Sequence, residues 1–159
     1  RGVVSLEQLQ VALAEVRAKG ARVVFSNGCF DLLHAGHVSY LEQARNMGDC
    51  LVVAVNSDAS LRRLKGPGRP LNPLDRRMAV LAGLAAVDWV LPFDEDTPEA
   101  LLRALRPEVL VKGGDYTRKE DIVGWRIVEA YGGEVRIAER VGDASTSAML
   151  DRIQDKSED

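Results

Sequence analysis

The stretch Phe25-Ser-Asn-Gly-Cys-Phe-Asp-Leu-Leu-His-Ala-Gly-His37 joins an apolar segment to two histidines that lie three residues apart. Residues 21–25, which lead into it, are mainly apolar and β-branched, as is typical of a buried strand. The pair Asn27-Gly28 then interrupts the strand pattern, and apolar residues at helical spacing begin at Val38. The sequence therefore predicts a strand, a turn and a helix whose first turn carries both histidines.

The two histidines of this turn, His34 and His37, are predicted to contact phosphate. Residues three apart on a helix share one face, with about 5–6 Å between their Cβ atoms. A helix start has unpaired N–H groups and a positive dipole end, so it favours an anion. Gly36 between the histidines leaves room for a ligand to approach the backbone. We therefore expect a nucleotide-phosphate site here.

Other uses of the same residues stay open at this point. Two histidines at helical spacing can share a zinc ion, with Asp31 as a third ligand. A helix start repels a cation, however, and the chain has only 2 histidines, so phosphate is favoured over metal and no protein metal ligand is assigned. A catalytic Cys29 thiol is also considered and disfavoured, because neither histidine obviously serves it as a base.

The rest of the chain alternates between strands and helices, which predicts an α/β fold. Short apolar strands imply a parallel sheet buried on both faces, so we predict a Rossmann-like, doubly wound sheet of five strands with helices on both faces. The strands are expected at residues 22–26, 50–56, 89–92, 109–112 and 134–137. The helices are expected at residues 5–19, 38–47, 73–84, 98–105 and 122–131, with a last helix from residue 145 to about 153.

Composition and length indicate one globular domain over residues 1–159, with a leading helix in residues 1–20 and a frayed tail at 155–159. Hydrophobic residues make up 46% and charged residues 28% of the chain. No segment resembles a membrane span or a signal peptide, so we expect a cytoplasmic protein with no membrane partner. The two cysteines are expected to be free thiols. A chain that starts at Arg1 suggests a domain of a longer protein.

The net charge of −3 argues against a nucleic-acid partner, because nucleic-acid-binding domains are usually basic. Residues 62–77, called the basic segment below, nevertheless contain six cationic side chains and one acidic side chain. Such a cluster suits a small and highly charged ligand such as a triphosphate. Within it, residues 65–73 hold three prolines and two glycines, which predicts a semi-rigid lid that closes over the triphosphate.

The string G-C-F-D-x-x-H-x-G-H at residues 28–37 resembles the signature of the nucleotidyltransferase superfamily that includes glycerol-3-phosphate cytidylyltransferase and phosphopantetheine adenylyltransferase. Its wording is most similar to the ADP-heptose synthase nucleotidyltransferase domains. The similarity continues at residues 53–58, 65–72, 87–88, 112–116 and 145–147, and so covers nearly the whole chain.

The resemblance implies a role for each matching residue. Lys65 is similar to the family lysine that reaches phosphates, and Arg77 to an arginine at the start of the next helix. Gly114 and Asp115 match a Gly-Asp pair, and Arg140 matches the arginine of an Arg-x-x-x-x-Ser-Thr pattern. The catalytic residues are predicted to be His34, His37 and Lys65. Nucleotide binding is assigned to Asn27, Gly28, Cys29, Phe30, Gly36, Arg77, Gly113, Gly114, Asp115, Arg140, Ser145, Thr146 and Ser147, and substrate binding to Asp31, Asn56 and Asp58.

The reaction that this resemblance implies is transfer of AMP from ATP to a sugar 1-phosphate by in-line attack on the α-phosphate. D-glycero-D-manno-heptose 1-phosphate is the expected acceptor, ADP-heptose and pyrophosphate are the products, and Mg²⁺ is carried by the ATP phosphates. A homodimer and a functional link to a sugar kinase are compatible with the sequence. Three alternatives remain: cytidylyl transfer to glycerol phosphate or a similar alcohol phosphate, a non-catalytic nucleotide-binding regulator, and a relative of class I aminoacyl-tRNA synthetases.

Overall fold

The computed structural model describes residues 1–140 and residue 153 of the chain. Its described part contains one sheet of six strands, all parallel, in the order β1-β4-β3-β2-β5-β6. The strands are β1 (Gly2–Val3), β2 (Val23–Gly28), β3 (Cys50–Asn56), β4 (Trp89–Phe93), β5 (Val109–Lys112) and β6 (Glu134–Ile137).

The parallel sheet confirms the predicted α/β architecture, but the predicted number of five strands is wrong. The additional strand β1 has only two residues and pairs with β4 at the edge of the sheet. Its backbone is fixed by hydrogen bonds from Gly2 N–H to Asp88 O (2.8 Å) and from Val4 N–H to Val90 O (2.9 Å). Two residues show no alternation of polar and apolar side chains, so this strand has no sequence signal.

Helices connect the strands and begin close to the predicted positions. They are α1 (Leu6–Ala18), α2 (Ala35–Arg45), α3 (Asp58–Lys65), α4 (Leu74–Ala82), α5 (Glu99–Leu105) and α6 (Trp125–Ala130), with a short 3₁₀ turn at Lys119–Asp121. Helix α3 was not predicted. The helix expected at residues 122–131 begins only at Trp125, because Gly124 adopts φ = 95° and separates it from the 3₁₀ turn.

Two apolar cores cover the two faces of the sheet. On one face, Leu9 and Leu13 of α1 pack with Leu102 of α5 against alternate strand residues such as Phe25 and Val52. On the other face, α2 and α4 cover the residues in between. All seven residues of β3 are buried, as expected for a central parallel strand. Burial on both faces fixes the register of the strands and therefore where their carboxyl ends lie.

The strand order reverses at β2, which has β3 on one side and β5 on the other. In an open parallel sheet, ligands bind beyond the carboxyl ends of the strands at such a reversal. The turn that contains both histidines follows β2, and the Gly-Gly-Asp sequence follows β5. The fold therefore brings these two segments to the same edge of the sheet.

The helix expected from residue 145, its residues Ser145, Thr146 and Ser147, and the tail at 155–159 lie outside the described residues. Within the described part of the chain, no helix is long and apolar enough to cross a membrane.

Candidate active site

Residues 27–37, called the His turn below, fix both imidazole rings through the backbone. His34 is the N-cap of α2, and its Nδ1 atom accepts a hydrogen bond from Gly36 N–H at 3.0 Å. The Nδ1 atom of His37 accepts one from His34 N–H at 3.3 Å. A neutral imidazole has one donor and one acceptor nitrogen. Because Nδ1 is the acceptor in both rings, each ring carries its proton on Nε2. The helix start thus holds two rings whose distal N–H groups remain for a ligand.

The environment of the rings keeps them neutral. Burial lowers the pKa of His34, and burial together with the neighbouring His34 lowers the pKa of His37 to about 4. The ring centroids lie 4.0 Å apart. Neutral rings so close together avoid the repulsion that two imidazolium ions would have, and they donate hydrogen bonds without carrying a charge.

Asp31 ties the His turn to the loop that was predicted to be a lid. Its buried carboxylate accepts hydrogen bonds from the N–H groups of Leu71 and Asn72 at 3.0 and 2.9 Å and pairs with Arg69 Nε at 2.7 Å. Burial opposes ionisation of this carboxylate, but these donors lower its pKa below the ordinary value. Because both carboxylate oxygens accept hydrogen bonds from the loop, Asp31 has a positioning role that was not expected.

Arg77 lies beneath the His turn and is itself buried. Its guanidinium donates to the carbonyl oxygens of Asn72, Cys29 and Asn56 at 2.7–2.8 Å and pairs with Asp58 at 2.7 Å. The predicted nucleotide contact of Arg77 is disfavoured by this geometry, because the side chain is 0% exposed. Sequence position indicated a basic residue at the helix start but not the direction of its side chain.

Asn56 and Asp58, which were assigned to substrate binding, also have protein partners. Asn56 Nδ2 donates to Ser60 Oγ at 3.1 Å, and the Cys29 thiol lies 3.8 Å from Asn56 Oδ1. Asp58 accepts from Leu74 N–H at 3.0 Å in addition to pairing with Arg77. Asn56 lines the second of the two cavities described below and is 3% exposed, whereas the Asp58 side chain lies outside both cavities and is 36% exposed.

The first cavity, of about 350 Å³, lies between the His turn and the segment after β5. Both histidines and Gly36 line it on one side, and Gly113, Gly114 and Asp115 line it on the other. Arg140 closes one end and pairs with Asp115 at 3.0 Å. Most of the predicted nucleotide-binding residues that the structure describes therefore surround one space. The other predicted nucleotide-binding residues in its wall are Asn27, Gly28, Cys29 and Phe30.

The second cavity, of about 510 Å³, adjoins the first and extends toward the basic segment. Lys65 and Arg69 provide its cations, and Asp31, Asp96 and Thr97 add polar groups. Ile122 and Val123 form an apolar part of its wall. The two cavities share seven wall residues. These are Asn27, Gly28, Cys29, Phe30, His37, Lys112 and Tyr116.

Tyr40 was missed by the sequence analysis, and Lys112 was included only as part of the similar segment 112–116, without a role of its own. The buried hydroxyl of Tyr40 donates to Val111 O at 3.0 Å and contacts Ser26 Oγ, and this links α2 to the ends of β2 and β5. The residue after β5 is a glycine, Gly113, and a Cβ atom at this position would lie 2.8 Å from the Tyr40 ring. Lys112 lines both cavities. Besides the similarity of segment 112–116, its sequence signal is a lysine that ends an apolar strand directly before two glycines.

The cations of the basic segment have different roles in the structure. Arg63 pairs with Asp96 at the surface, and Arg69 and Arg77 pair with Asp31 and Asp58. Lys65 has no ion-pair partner among residues 1–140 and 153, and it lines the second cavity. The cluster is therefore less of a continuous cationic surface than its sequence indicates.

The side chains at the site do not favour a metal ion that is coordinated by the protein itself. In the part of the chain that the structure describes, no group of three or more His, Cys, Asp or Glu side chains could hold a metal ion. Asp31 is bound to the loop, and both Nδ1 atoms accept backbone hydrogen bonds. Cys29 is half-buried, and burial raises the pKa of its thiol, so the reactive thiolate is disfavoured.

Comparison with known proteins shows which family the chain belongs to. The profile of the cytidylyltransferase-like family matches residues 25–152. The protein named "Bifunctional protein HldE" of Hahella chejuensis (strain KCTC 2396) is 62% identical over 154 residues, which are 97% of this chain and 32% of that protein. Its namesake in Pseudomonas aeruginosa (strain UCBPP-PA14) is 63% identical over 156 residues, 98% of this chain and 33% of that one. The chain thus spans about a third of the length of these relatives.

Solved structures show the same fold at lower identity. The lipopolysaccharide core biosynthesis protein from Thermoplasma volcanium GSS1 superposes with a TM-score of 0.64 and 26% identity, covering 79% of this chain and 100% of that one. Pantothenate synthetase from Thermus thermophilus gives a TM-score of 0.59 and 21% identity, covering 90% of this chain and 63% of that one. The second likeness concerns the fold alone.

Proposed function

Because this chain belongs to the cytidylyltransferase-like family and is a nucleotidyltransferase, we propose that it transfers AMP from ATP to a sugar 1-phosphate. The acceptor is D-glycero-D-manno-heptose 1-phosphate, and the products are ADP-heptose and pyrophosphate. The observation that carries the proposal is the pair of adjoining cavities that share His37 in their common wall. Two ligands that meet there can react directly with each other.

The first cavity suits the nucleotide. Its His turn presents two neutral Nε2–H groups and the start of α2, which together bind phosphate oxygens. Its other wall contains the two glycines after β5, which allow the base and ribose to approach the backbone closely. We therefore infer that the α-phosphate lies beside His37, which lines both cavities.

The second cavity suits the phosphorylated acceptor. Lys65 and Arg69 provide positive charge for its phosphate, and Asn56 and Thr97 offer hydrogen bonds for sugar hydroxyls. We infer that an acceptor in this cavity reaches the α-phosphorus from the side opposite to the pyrophosphate, as in-line attack requires. The acceptor oxygen is already ionised, so the site supplies positioning and charge stabilisation and needs no general base.

Magnesium is proposed to enter with ATP. The first cavity has His, Gly and amide groups and lacks a described cluster of acidic ligands, so it fits a triphosphate whose metal is held by phosphate oxygens and water. The ion neutralises charge on the leaving pyrophosphate. The protein's own contribution is the hydrogen bonds of the His turn and the cations at the second cavity.

The choice of heptose rests on similarity. The relatives called "Bifunctional protein HldE" and the solved "lipopolysaccharide core biosynthesis protein" support a sugar nucleotide product over the cytidylyl product of glycerol phosphate. The word bifunctional also supports the proposed functional link to a sugar kinase, since this chain covers 32–33% of those relatives. A cytoplasmic location is proposed on the same basis.

The test is pyrophosphate release with purified protein, ATP or CTP, Mg²⁺ and a panel of acceptors. The panel contains heptose 1-phosphate, glucose 1-phosphate and glycerol 3-phosphate, and mass spectrometry identifies the product. We expect ADP-heptose from ATP and heptose 1-phosphate. Turnover with CTP and glycerol phosphate alone would contradict the proposal in favour of cytidylyl transfer. Binding of ATP without turnover of any acceptor would instead indicate a non-catalytic regulator.

A further inference from the structure

Lys112 occupies the boundary between the two cavities. It is the last residue of β5, and its side chain lines both spaces. The ammonium donates a hydrogen bond to Asn27 O at 2.6 Å and lies 5.8 Å from the centroid of the Tyr116 ring. These contacts hold the amine at the place where nucleotide and acceptor would meet.

The backbone around Lys112 is fixed from both sides. Val111 O accepts hydrogen bonds from Tyr40 and from Ser26 at 3.0 and 2.8 Å. Gly113, on the other side, contacts the Tyr40 ring so closely that no side chain fits there. The position of the amine is therefore preorganised and does not depend on ordering a flexible loop.

The charge of Lys112 lacks a counter-charge in the described structure. No carboxylate of residues 1–140 or 153 lies within ion-pair distance of its Nζ atom. Burial is the main cause that lowers its pKa to about 8; the Cys29 thiol opposes this shift, and the nearby Lys65 ammonium adds to it. A buried cation without a partner is unfavourable. An anion bound at the boundary of the cavities would supply the missing charge.

We propose that the Lys112 ammonium binds the acceptor's phosphate and holds it against the α-phosphorus of ATP. This inference rests on the proposed function. One acceptor oxygen forms a bond to the α-phosphorus, and the bond from that phosphorus to the bridging oxygen breaks to release pyrophosphate. Lys112 remains protonated throughout and transfers no proton. It is thus a phosphate-binding residue of the reaction in addition to Lys65, which lines the second cavity only.

The first test compares K112M and K112R with the wild type in pyrophosphate release, with ATP and acceptor varied separately. Methionine keeps the length of the side chain without its charge. We expect K112M to lower kcat/KM for the acceptor by about 10²-fold, because an oriented donor to developing charge commonly contributes that much. The dissociation constant of ATP should change by less than about threefold. K112M removes the hydrogen bond to Asn27 O but leaves both imidazole rings and their backbone hydrogen bonds in place. K112R should recover part of the loss.

The control is K19M, which removes an exposed lysine at the end of α1, far from both cavities. It should match the wild type in every rate. Melting curves for all variants confirm that the comparison concerns folded protein. Wild-type acceptor kinetics in K112M, or a loss confined to ATP affinity, would overturn the proposal while leaving the proposed function intact.

The pH dependence separates a charge effect from a structural one. Because the pKa of free Lys112 is lowered to about 8, its cationic form is lost as pH rises through that value. The groups that face it are the Cys29 thiol, the Lys65 ammonium, the His37 ring and the Tyr116 ring. We expect kcat/KM for the acceptor to fall above about pH 8 in the wild type but not in K112R. The same fall in both would contradict the proposal.

A labelling experiment tests the contact between Lys112 and phosphate even if no turnover is observed. Pyridoxal 5′-phosphate followed by borohydride modifies neutral amines, and peptide mapping measures modification of Lys112 at pH 8 in the presence of ATP. Inorganic phosphate at ten times its dissociation constant should slow this modification about tenfold by occupancy, and should leave Lys19 unaffected. Equal labelling of Lys112 with and without phosphate would overturn the proposal. Absent turnover in the wild type would count against the proposed function alone.

Discussion

The His turn and the basic segment use their polar side chains in opposite ways. In the His turn, backbone N–H groups bind the inner nitrogen of each ring, so that the outer N–H groups of His34 and His37 stay available to a ligand. In the basic segment, Arg63, Arg69 and Arg77 are bound by acidic side chains of the protein. Uncharged rings are thus presented to the ligand, whereas formal charges mostly stabilise the fold.

This difference shows that local charge in a sequence is a weak guide to charge in a site. Three carbonyl oxygens accept hydrogen bonds from Arg77 and Asp58 neutralises its charge before any ligand binds, and Asp31 likewise pairs with Arg69. Only Lys65 in this segment both lines a cavity and lacks an ion-pair partner in the described part of the chain. Substitutions of the paired arginines in the basic segment should therefore lower stability, whereas substitutions of the histidines in the His turn should lower turnover.

The largest expected effect is on stability, at Arg77. R77M removes the donor that three carbonyl oxygens and Asp58 share, so the free energy of unfolding should fall by about 3–5 kcal/mol. Urea denaturation measures it. The matched control is R76M, the exposed neighbour on the same helix, which should stay within about 0.5 kcal/mol of the wild type. Equal losses in both variants would remove the distinction between a buried and a surface cation.

The next effect is on turnover, at the His turn. H34N keeps an acceptor at the Nδ1 position, and with it the helix cap, but lacks the outer N–H group. We expect kcat to fall by about 10²-fold or more while the melting temperature stays near that of the wild type. H34A should lose the same turnover and, in addition, about 1 kcal/mol of stability through the lost cap. Normal turnover in H34N would contradict a phosphate-binding role for the ring.

Asp31 connects the two regions, and its replacement should affect both. D31N removes the charge that holds Arg69, and we expect a loss of about 1–3 kcal/mol in unfolding free energy together with weaker acceptor kinetics. Because the pKa of Asp31 is lowered in the fold, this stabilisation is fully present above the unfolded value of about 3.9 and is lost progressively as pH falls through the lower folded-state pKa. D75N, on an exposed site of the same segment, is the control. A difference between D31N and wild type that does not shrink as pH falls below about 3.9 would contradict the electrostatic cause.

The smallest effect is expected at Arg63. Its pair with Asp96 is exposed at both partners, with side chains 47% and 62% accessible. R63Q should therefore change the unfolding free energy by less than about 1 kcal/mol, and the change should shrink in 1 M salt. Acceptor kinetics should remain those of the wild type. A large kinetic defect would show that the basic segment contributes charge to the site beyond Lys65 and Arg69.

The sequence predicted the His turn well because its chemistry is local. Strand, turn and helix start lie within thirteen residues, and each leaves a periodic or conformational signal. Helix α3 was missed because it is short and its last turn contains Arg62, Arg63 and Lys65, a composition that resembles a surface loop. The directions of Arg77 and Asp31, and the place of Lys112 between two cavities, depend on contacts between distant segments. Those contacts leave no pattern in a single sequence.

The central claim is that two neutral rings donate Nε2–H groups to the nucleotide phosphates, and imidazole ¹⁵N NMR tests it most directly. The chain has only 2 histidines, so H34N and H37N assign every signal. At pH 7 we predict that both rings are neutral with the proton on Nε2, that the His37 ring titrates near pH 4, and that ATP with Mg²⁺ shifts both Nε2 signals. Charged rings at pH 7, protons on Nδ1, or Nε2 signals that ATP leaves unchanged would contradict the account.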